Sequence, residues 1–265
     1  MRMLMIGDIV GQIGQQTLKT YLSELKQTYL PDLIVVNGEN AATNGRGITQ
    51  DIYREFRELG VDCVTMGNHT WGQSEIFDFI DNEDRLIRPA NYPEGTPGKG
   101  YTTLSTSKGK FVIINLMGRT YSSIALDCPF RTVDGILKRL SGNPFILVDM
   151  HAETTSEKQA LAWYLDGRVS AVIGTHTHVQ TADERILPKG TGYLTDIGMV
   201  GPYNSVIGME VEAVIRRFVT QLPVRFEVSK EGFVLQGVLM DFDPATRRAK
   251  KMKRIRIDND TPWLN

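Results

Sequence analysis

One unit recurs along this chain and narrows its fold more than any other feature. It is a short apolar run that closes on glycine, an acid, an amide or a histidine. Residues 4–6 close on Gly7-Asp8, residues 33–36 on Gly38-Glu39-Asn40, and residues 61–66 on Gly67-Asn68-His69. Farther on, residues 145–148 run into Asp149-Met150-His151, and residues 169–173 into Gly174-Thr175-His176-Thr177-His178. Together with residues 111–116, these runs have the length and composition of buried strands. The intervening segments carry helical spacing. Leu18, Tyr21, Leu22 and Leu25 mark residues 14–29, and Ile52, Phe56 and Leu59 mark residues 50–59. Ala160, Leu161, Trp163 and Tyr164 do the same for residues 156–165. Strand–helix–strand alternation predicts a layered α/β fold, with sheets covered by helices.

The C-terminal third changes pattern. Residues 224–228, 233–240 and 251–257 read as strands joined by turns at Glu231-Gly232 and Asp243-Pro244, which predicts a second, antiparallel-leaning sheet. No linker, repeat or low-complexity tract interrupts the chain, so residues 1–265 read as a single domain. Residues 91–101, rich in proline and glycine, read as a surface excursion.

Composition serves mainly to exclude. A net charge of −1 gives no global pull toward nucleic acid or an anionic membrane. Two cysteines, Cys63 and Cys128, are too few and too far apart for a disulfide framework, and Cys63 reads as a buried free thiol. The start resembles a signal peptide only until Gly7-Asp8 interrupts its apolar region. No apolar run approaches the roughly 18 residues of a membrane span. A reducing cytoplasm is the expected location.

All four histidines of the chain lie in these strand-end segments. In open α/β sheets, ligands collect beyond the carboxyl ends of strands. Imidazole mixed with carboxylate and amide oxygen suits iron, manganese or zinc better than calcium. Each residue alone has a duller reading. Asp8 can cap a helix, Asn68 can form a turn beside Gly67, Glu39 can be a surface acid, and a lone His69 or His151 is commonly structural. Two histidines spaced as in His176-Thr177-His178 are harder to justify as packing. In an extended segment both would face the same side.

The strings that carry these residues resemble the calcineurin-like metallophosphoesterases, and within them the YmdB-like family of bacterial phosphodiesterases. They include residues 38–42 (GENAA), 67–71 (GNHTW), 128–134 (CPFRTVD), 166–169 (DGRV), 174–183 (GTHTHVQTAD) and 195–201 (TDIGMVG). The resemblance implies a layered fold of β-sheets sandwiched between helices. It also implies two metal sites: Asp8, Glu39, Asn40 and His178 at the first; Glu39, Asn68, His151 and His176 at the second. His69 is then the proton donor. The chain departs from the wider superfamily in lacking a histidine two residues after Asp8, in using Glu39 as the bridging acid, and in carrying Gly72 where close relatives carry an acid. The loop at residues 43–47, with Arg46, is also less purely small than in relatives.

Two cations roughly 3.5–4 Å apart acidify a shared water and clamp a phosphoryl group. The resemblance implies a phosphodiesterase acting on 2′,3′-cyclic nucleotides such as 2′,3′-cyclic AMP; spacing alone leaves phosphomonoesters, phosphoproteins and phospholipids open. Arg46, Arg119 and Arg131 are candidates for substrate phosphate, and Tyr121 and Phe130 for base stacking. A competing class is an RNA-associated regulator built on the basic run Arg247-Arg248-Ala249-Lys250-Lys251-Met252-Lys253-Arg254-Ile255-Arg256, against which stands a solvated hairpin and strand face. A homo-oligomer is the default expectation.

Overall fold

The computed structural model describes residues 1–262. The first half of the chain builds four parallel strands: β1 (Arg2–Ile9), β2 (Leu33–Asn37), β3 (Cys63–Thr65) and β4 (Leu86–Ile87). They are connected by α1 (Gly11–Tyr29), α2 (Gln50–Glu58) and the short α3 (Ile76–Phe79). Thr49 starts α2 by accepting the Ile52 amide, as an N-cap does.

The chain then builds a second sheet from β5 (Tyr101–Thr106), β6 (Gly109–Met117), β7 (Phe145–His151), β8 (Ala171–Thr175), β9 (Arg185–Ile186) and β10 (Gly192–Leu194), in the order β5-β6-β7-β8-β10-β9. α4 (Pro129–Arg139) and α5 (Thr155–Leu165) are its crossovers. The chain returns to the first sheet with β11 (Met199–Gly201), α6 (Val211–Thr220), β12 (Val234–Phe242) and β13 (Ala249–Asp258). The finished first sheet runs β13-β12-β11-β1-β2-β3-β4.

The apolar runs are continuous because both faces of the strands are covered. Along β1 and β2, Met3, Met5 and Val35 face the second sheet and pack with Ile113, Leu147 and Ile173. The alternate residues Leu4, Ile6, Ile34 and Val36 pack with Leu18 and Leu22 of α1 and Phe56 of α2. On the second sheet, Val112, Val148 and Val172 meet Val133 and Ile136 of α4 and Leu161 and Leu165 of α5. Helices therefore cover the outer faces of two sheets packed against each other.

Two expectations need correction. Residues 224–228 form no strand; Val228 makes only an isolated bridge with Met209. The C-terminal strands build no second sheet, because β12 pairs antiparallel with β1 from Arg2–Asp241 to Ile6–Gly237 and so joins the first. Residues 91–101 are the expected surface excursion, exposed or half-buried from Pro93 to Gly100 and anchored at buried Asn91, whose amide donates to the Met117 and Asp127 carbonyls. Helices α4 and α6 lie outside the predicted elements. α6 buries only Val214 and leaves Ile215, Phe218 and Val219 in solvent.

The basic run lies around β13, and three of its cations are met by acids: Lys250 by Asp243, Arg254 by Glu184 and Arg256 by Asp258, at 2.6–2.7 Å. The Arg247 guanidinium covers the Phe145 ring at 4.3 Å. The cations are spread along the strand face. Among the described residues, no helix is long and apolar enough to cross a membrane.

Candidate active site

The strand ends of both sheets meet at one cleft. Asp8 stands near the end of β1, Glu39 and Asn40 follow β2, Asn68 follows β3, His151 ends β7, and His176 and His178 follow β8. Asp8, Glu39, Asn40, His151 and His178 are buried.

Two clusters of potential ligand atoms result. In the first, the His178 Nδ1–H donates to the Ile207 carbonyl at 2.8 Å, and burial pushes the pKa of this imidazole down. The ring is thus neutral, and its Nε2 lone pair faces Asn40 Oδ1 at 3.3 Å and Asp8 Oδ2 at 3.7 Å. Asn40 gives its Nδ2–H to the Gly45 carbonyl, which fixes its oxygen inward. Asp8 Oδ2 accepts the His176 amide, whereas the buried Oδ1 has no hydrogen-bond partner. Burial pushes the Asp8 carboxyl well above the usual carboxylate range.

The second cluster surrounds His151 Nε2. Glu39 Oε1, Asn68 Oδ1 and His176 Nδ1 lie 2.9–3.0 Å from it. The Thr175 hydroxyl donates to Asp149 at 2.7 Å and therefore accepts from His151 Nδ1 at 2.9 Å, turning Nε2 toward the cluster. Burial opposes a charge on either partner. Even so, His151 and then His69 hold the Glu39 carboxyl down to about 2, and Glu39 leads Asp8 and Asp149 in raising His151 to about 9. Burial, and then His151, push His176 down to about 3.

The donor chemistry fits metal ions. Glu39, His151 and His176 offer ligand atoms all within 4.8 Å of one another. An unpartnered carboxylate oxygen and facing lone pairs call for positive charge between them. Gly67 makes the room: a Cβ there would lie 2.3 Å from Glu39 Oε2 and 2.4 Å from His151 Nε2.

Above this floor opens a cleft of about 280 Å³. His69 sits on it, its amide donating to Glu39 Oε2 at 3.0 Å, its imidazole pKa lowered by burial and by Arg46 against the pull of Glu39. Residues 117–118 and 120–124 form the facing wall. There Tyr121 is 88% exposed and holds a left-handed backbone, φ 60°.

The structure thus gathers all seven candidate ligands and His69. Asp8 caps no helix, since α1 starts after Val10 without a side-chain cap. The HTH segment is not extended, because His176 and His178 have φ of 99° and 63°; both reach the floor from left-handed turns. Phe130 packs edge-on to Tyr164 and is no stacking face. Arg46, Arg119 and Arg131 are exposed and do not line the cleft. Gly72 has a local cause, for a Cβ there would lie 2.8 Å from the Arg46 carbonyl carbon, so no acid fits. Sequence reasoning missed Asp149 and Glu153, whose carboxylate lies 3.0 Å from His176 Nε2. Two-residue alternation from His151 signals both, on one strand face or just past its end.

Two packed sheets with acid, amide and imidazole donors at their strand ends define a calcineurin-like metallophosphoesterase fold. A Haemophilus influenzae NAD nucleotidase shares that fold at TM-score 0.59 and 14% identity, over 97% of this chain and 56% of its own. Residues 4–255 match the family described as YmdB-like protein, and the chain belongs to it. It is 52% identical to the 2′,3′-cyclic-nucleotide 2′-phosphodiesterase of Bacillus subtilis (strain 168) over 98% of both chains. A Mycoplasma pneumoniae phosphatase structure superposes at TM-score 0.92 with 38% identity, covering 97% of this chain and 93% of that one. A Thermus thermophilus protein does so at 0.91 with 41% identity, covering 97% and 99%.

Proposed function

We propose that the protein is a two-metal phosphodiesterase that opens 2′,3′-cyclic nucleotides, 2′,3′-cyclic AMP among them, at the 2′-oxygen. Family membership makes the chain a phosphoric ester hydrolase. The observation that carries the finer reading is the convergence of carboxylate, amide and imidazole ligand atoms around His178 Nε2 and His151 Nε2 beneath an open cleft. Asp8, Glu39, Asn40 and His178 would hold one cation; Glu39, Asn68, His151 and His176 the other. Iron or manganese suits this set, and zinc is accepted by it. When bound, such ions supply Lewis acidity, making water nucleophilic at neutral pH and offsetting phosphoryl charge.

The chain's own residues do the rest. Hydrolysis adds a water OH to phosphorus and breaks the P–O2′ bond, and the departing O2′ needs a proton. The His69 imidazole stands on the cleft and gives it. Tyr121 offers its ring as a platform for the base. Residues 1–265 read as one domain, closed by the pairing of β1 with β12; residues 263–265 lie outside those described. Two unpaired cysteines support a reducing cytoplasm. The apolar side chains that α6 leaves in solvent support a homo-oligomer, which light scattering tests.

The test is chromatography of products from 2′,3′-cyclic AMP and purified protein with Mn²⁺, with His176→Ala as control. Conversion to 3′-AMP that the control lacks is the expected result. Metal binding without turnover would move the substrate elsewhere, and 3′-AMP degraded in turn would reassign the site to monoesters.

A further inference from the structure

The string TDIGMVG supplies none of the proposed ligands, yet its aspartate, Asp196, is fully buried behind the site. Its Oδ2 accepts three hydrogen bonds, from the Thr177 amide at 3.1 Å, the Thr177 hydroxyl at 2.7 Å and the Lys158 ammonium at 2.6 Å. Its Oδ1 accepts the Gly198 amide at 2.9 Å, and the Gly198 carbonyl takes the Asp8 amide at 3.1 Å. Thr177 is the residue between His176 and His178. One carboxylate thus reaches the backbone of three proposed ligands without facing the cleft.

Lys158 is equally buried and comes from α5, on the outer side of the second sheet. Its stem passes the strand end at Gly174, where a Cβ would lie 2.8 Å from Lys158 Cδ and 1.7 Å from the Thr195 carbonyl oxygen. Charge explains the pairing. A buried carboxylate with no counter-charge would take up a proton or compete for the cations meant for the site. Lys158 supplies that counter-charge at 2.6 Å, and both Asp196 oxygens are engaged. The neighbouring geometry explains the need. His176 and His178 both hold left-handed backbones, which persist only where their surroundings over-determine them.

We propose that Lys158, Asp196 and Thr177 form a positioning strut that holds His176 and His178 in their metal-binding conformation, and so sets metal affinity rather than fold stability. The inference rests on the metal reading above. Thr177→Val tests it best, because the change removes the hydroxyl bond to Asp196 and keeps side-chain shape and the amide bond. Asp196→Asn would strand a buried ammonium, and its failure to fold would not discriminate. Calorimetric titration of the metal-free proteins with Mn²⁺ should show Thr177→Val weakened about 10- to 100-fold, the usual cost of losing a partner that orients ligands. Thr177→Ser should restore the wild-type value, and all three metal-free proteins should melt together. Wild-type affinity in Thr177→Val, or a metal-free melting point that falls with it, would overturn the strut. A wild type that binds no Mn²⁺ would overturn the metal reading itself, and the strut with it.

Discussion

The floor and the wall of the cleft are built on opposite principles. On the floor, Asp8, Glu39, Asn40, His151 and His178 are buried, come from both sheets and are fixed from behind by Thr175, Asp149 and Asp196. The wall is one stretch, residues 117–124, anchored where Glu157 accepts the Arg119 and Thr120 amides and carrying Tyr121 out into solvent. A floor that must hold charges against desolvation needs a rigid surround. A wall that meets a flat, apolar base needs only a ring and little pre-organisation. Damage to the floor should therefore act on chemistry, and damage to the wall on affinity.

The largest effect is expected at the centre of the floor. Glu39→Gln keeps the shape but halves the side chain's capacity to accept and removes its charge. Loss of several kcal/mol of metal-borne stabilisation corresponds to about 10³-fold or more in kcat. Metal content by mass spectrometry should fall in parallel. Full metal loading with wild-type kcat would dissolve the distinction between floor and wall.

His69 lies on the boundary and should separate the two kinds of damage. His69→Ala is expected to lower kcat on 2′,3′-cyclic AMP by about 10²–10⁴-fold, the usual range for general acid catalysis, while metal content stays intact. An aryl phosphodiester, whose leaving group departs without a proton, should lose far less. Equal metal loss in His69→Ala and His176→Ala would place His69 among the ligands instead.

The floor was legible in the sequence for the reason that makes it costly to build. Buried strands leave few places for polar atoms, so Gly7-Asp8, Gly38-Glu39-Asn40 and Gly67-Asn68-His69 stand out against their apolar runs. The supports were not legible. Lys158 sits in a helical stretch where lysine ordinarily faces solvent, and only the fold reveals that its ammonium reaches Asp196. The left-handed turns at His176 and His178 were equally hidden, because nothing local demands them. The C-terminal strands were read correctly as antiparallel but assigned to their own sheet; their partner, β1, lies more than two hundred residues away.

A smaller effect is expected at the wall. Tyr121→Ala removes a stacking face worth about 1–3 kcal/mol per base, or about 5- to 150-fold in KM. Turnover at saturation should hold, and the aryl diester, which lacks a nucleobase, should keep its KM. A fall in kcat on both substrates would mean that the loop shapes the floor after all.

The smallest effect is expected at β13, which has charge without convergence. Its cations are spread along a strand and several are matched by acids, whereas the site's donors meet at points. Partly exposed ion pairs such as Arg254–Glu184 are worth about 0–1 kcal/mol. The Lys251→Ala, Lys253→Ala, Arg254→Ala triple variant should therefore fold, load Mn²⁺ and turn over 2′,3′-cyclic AMP as the wild type does. Filter binding of a short RNA across a salt series checks the alternative directly. Tight wild-type binding with a steep salt slope that the variant flattens would give the molecule a second functional face, one that reads charge density rather than a shaped site.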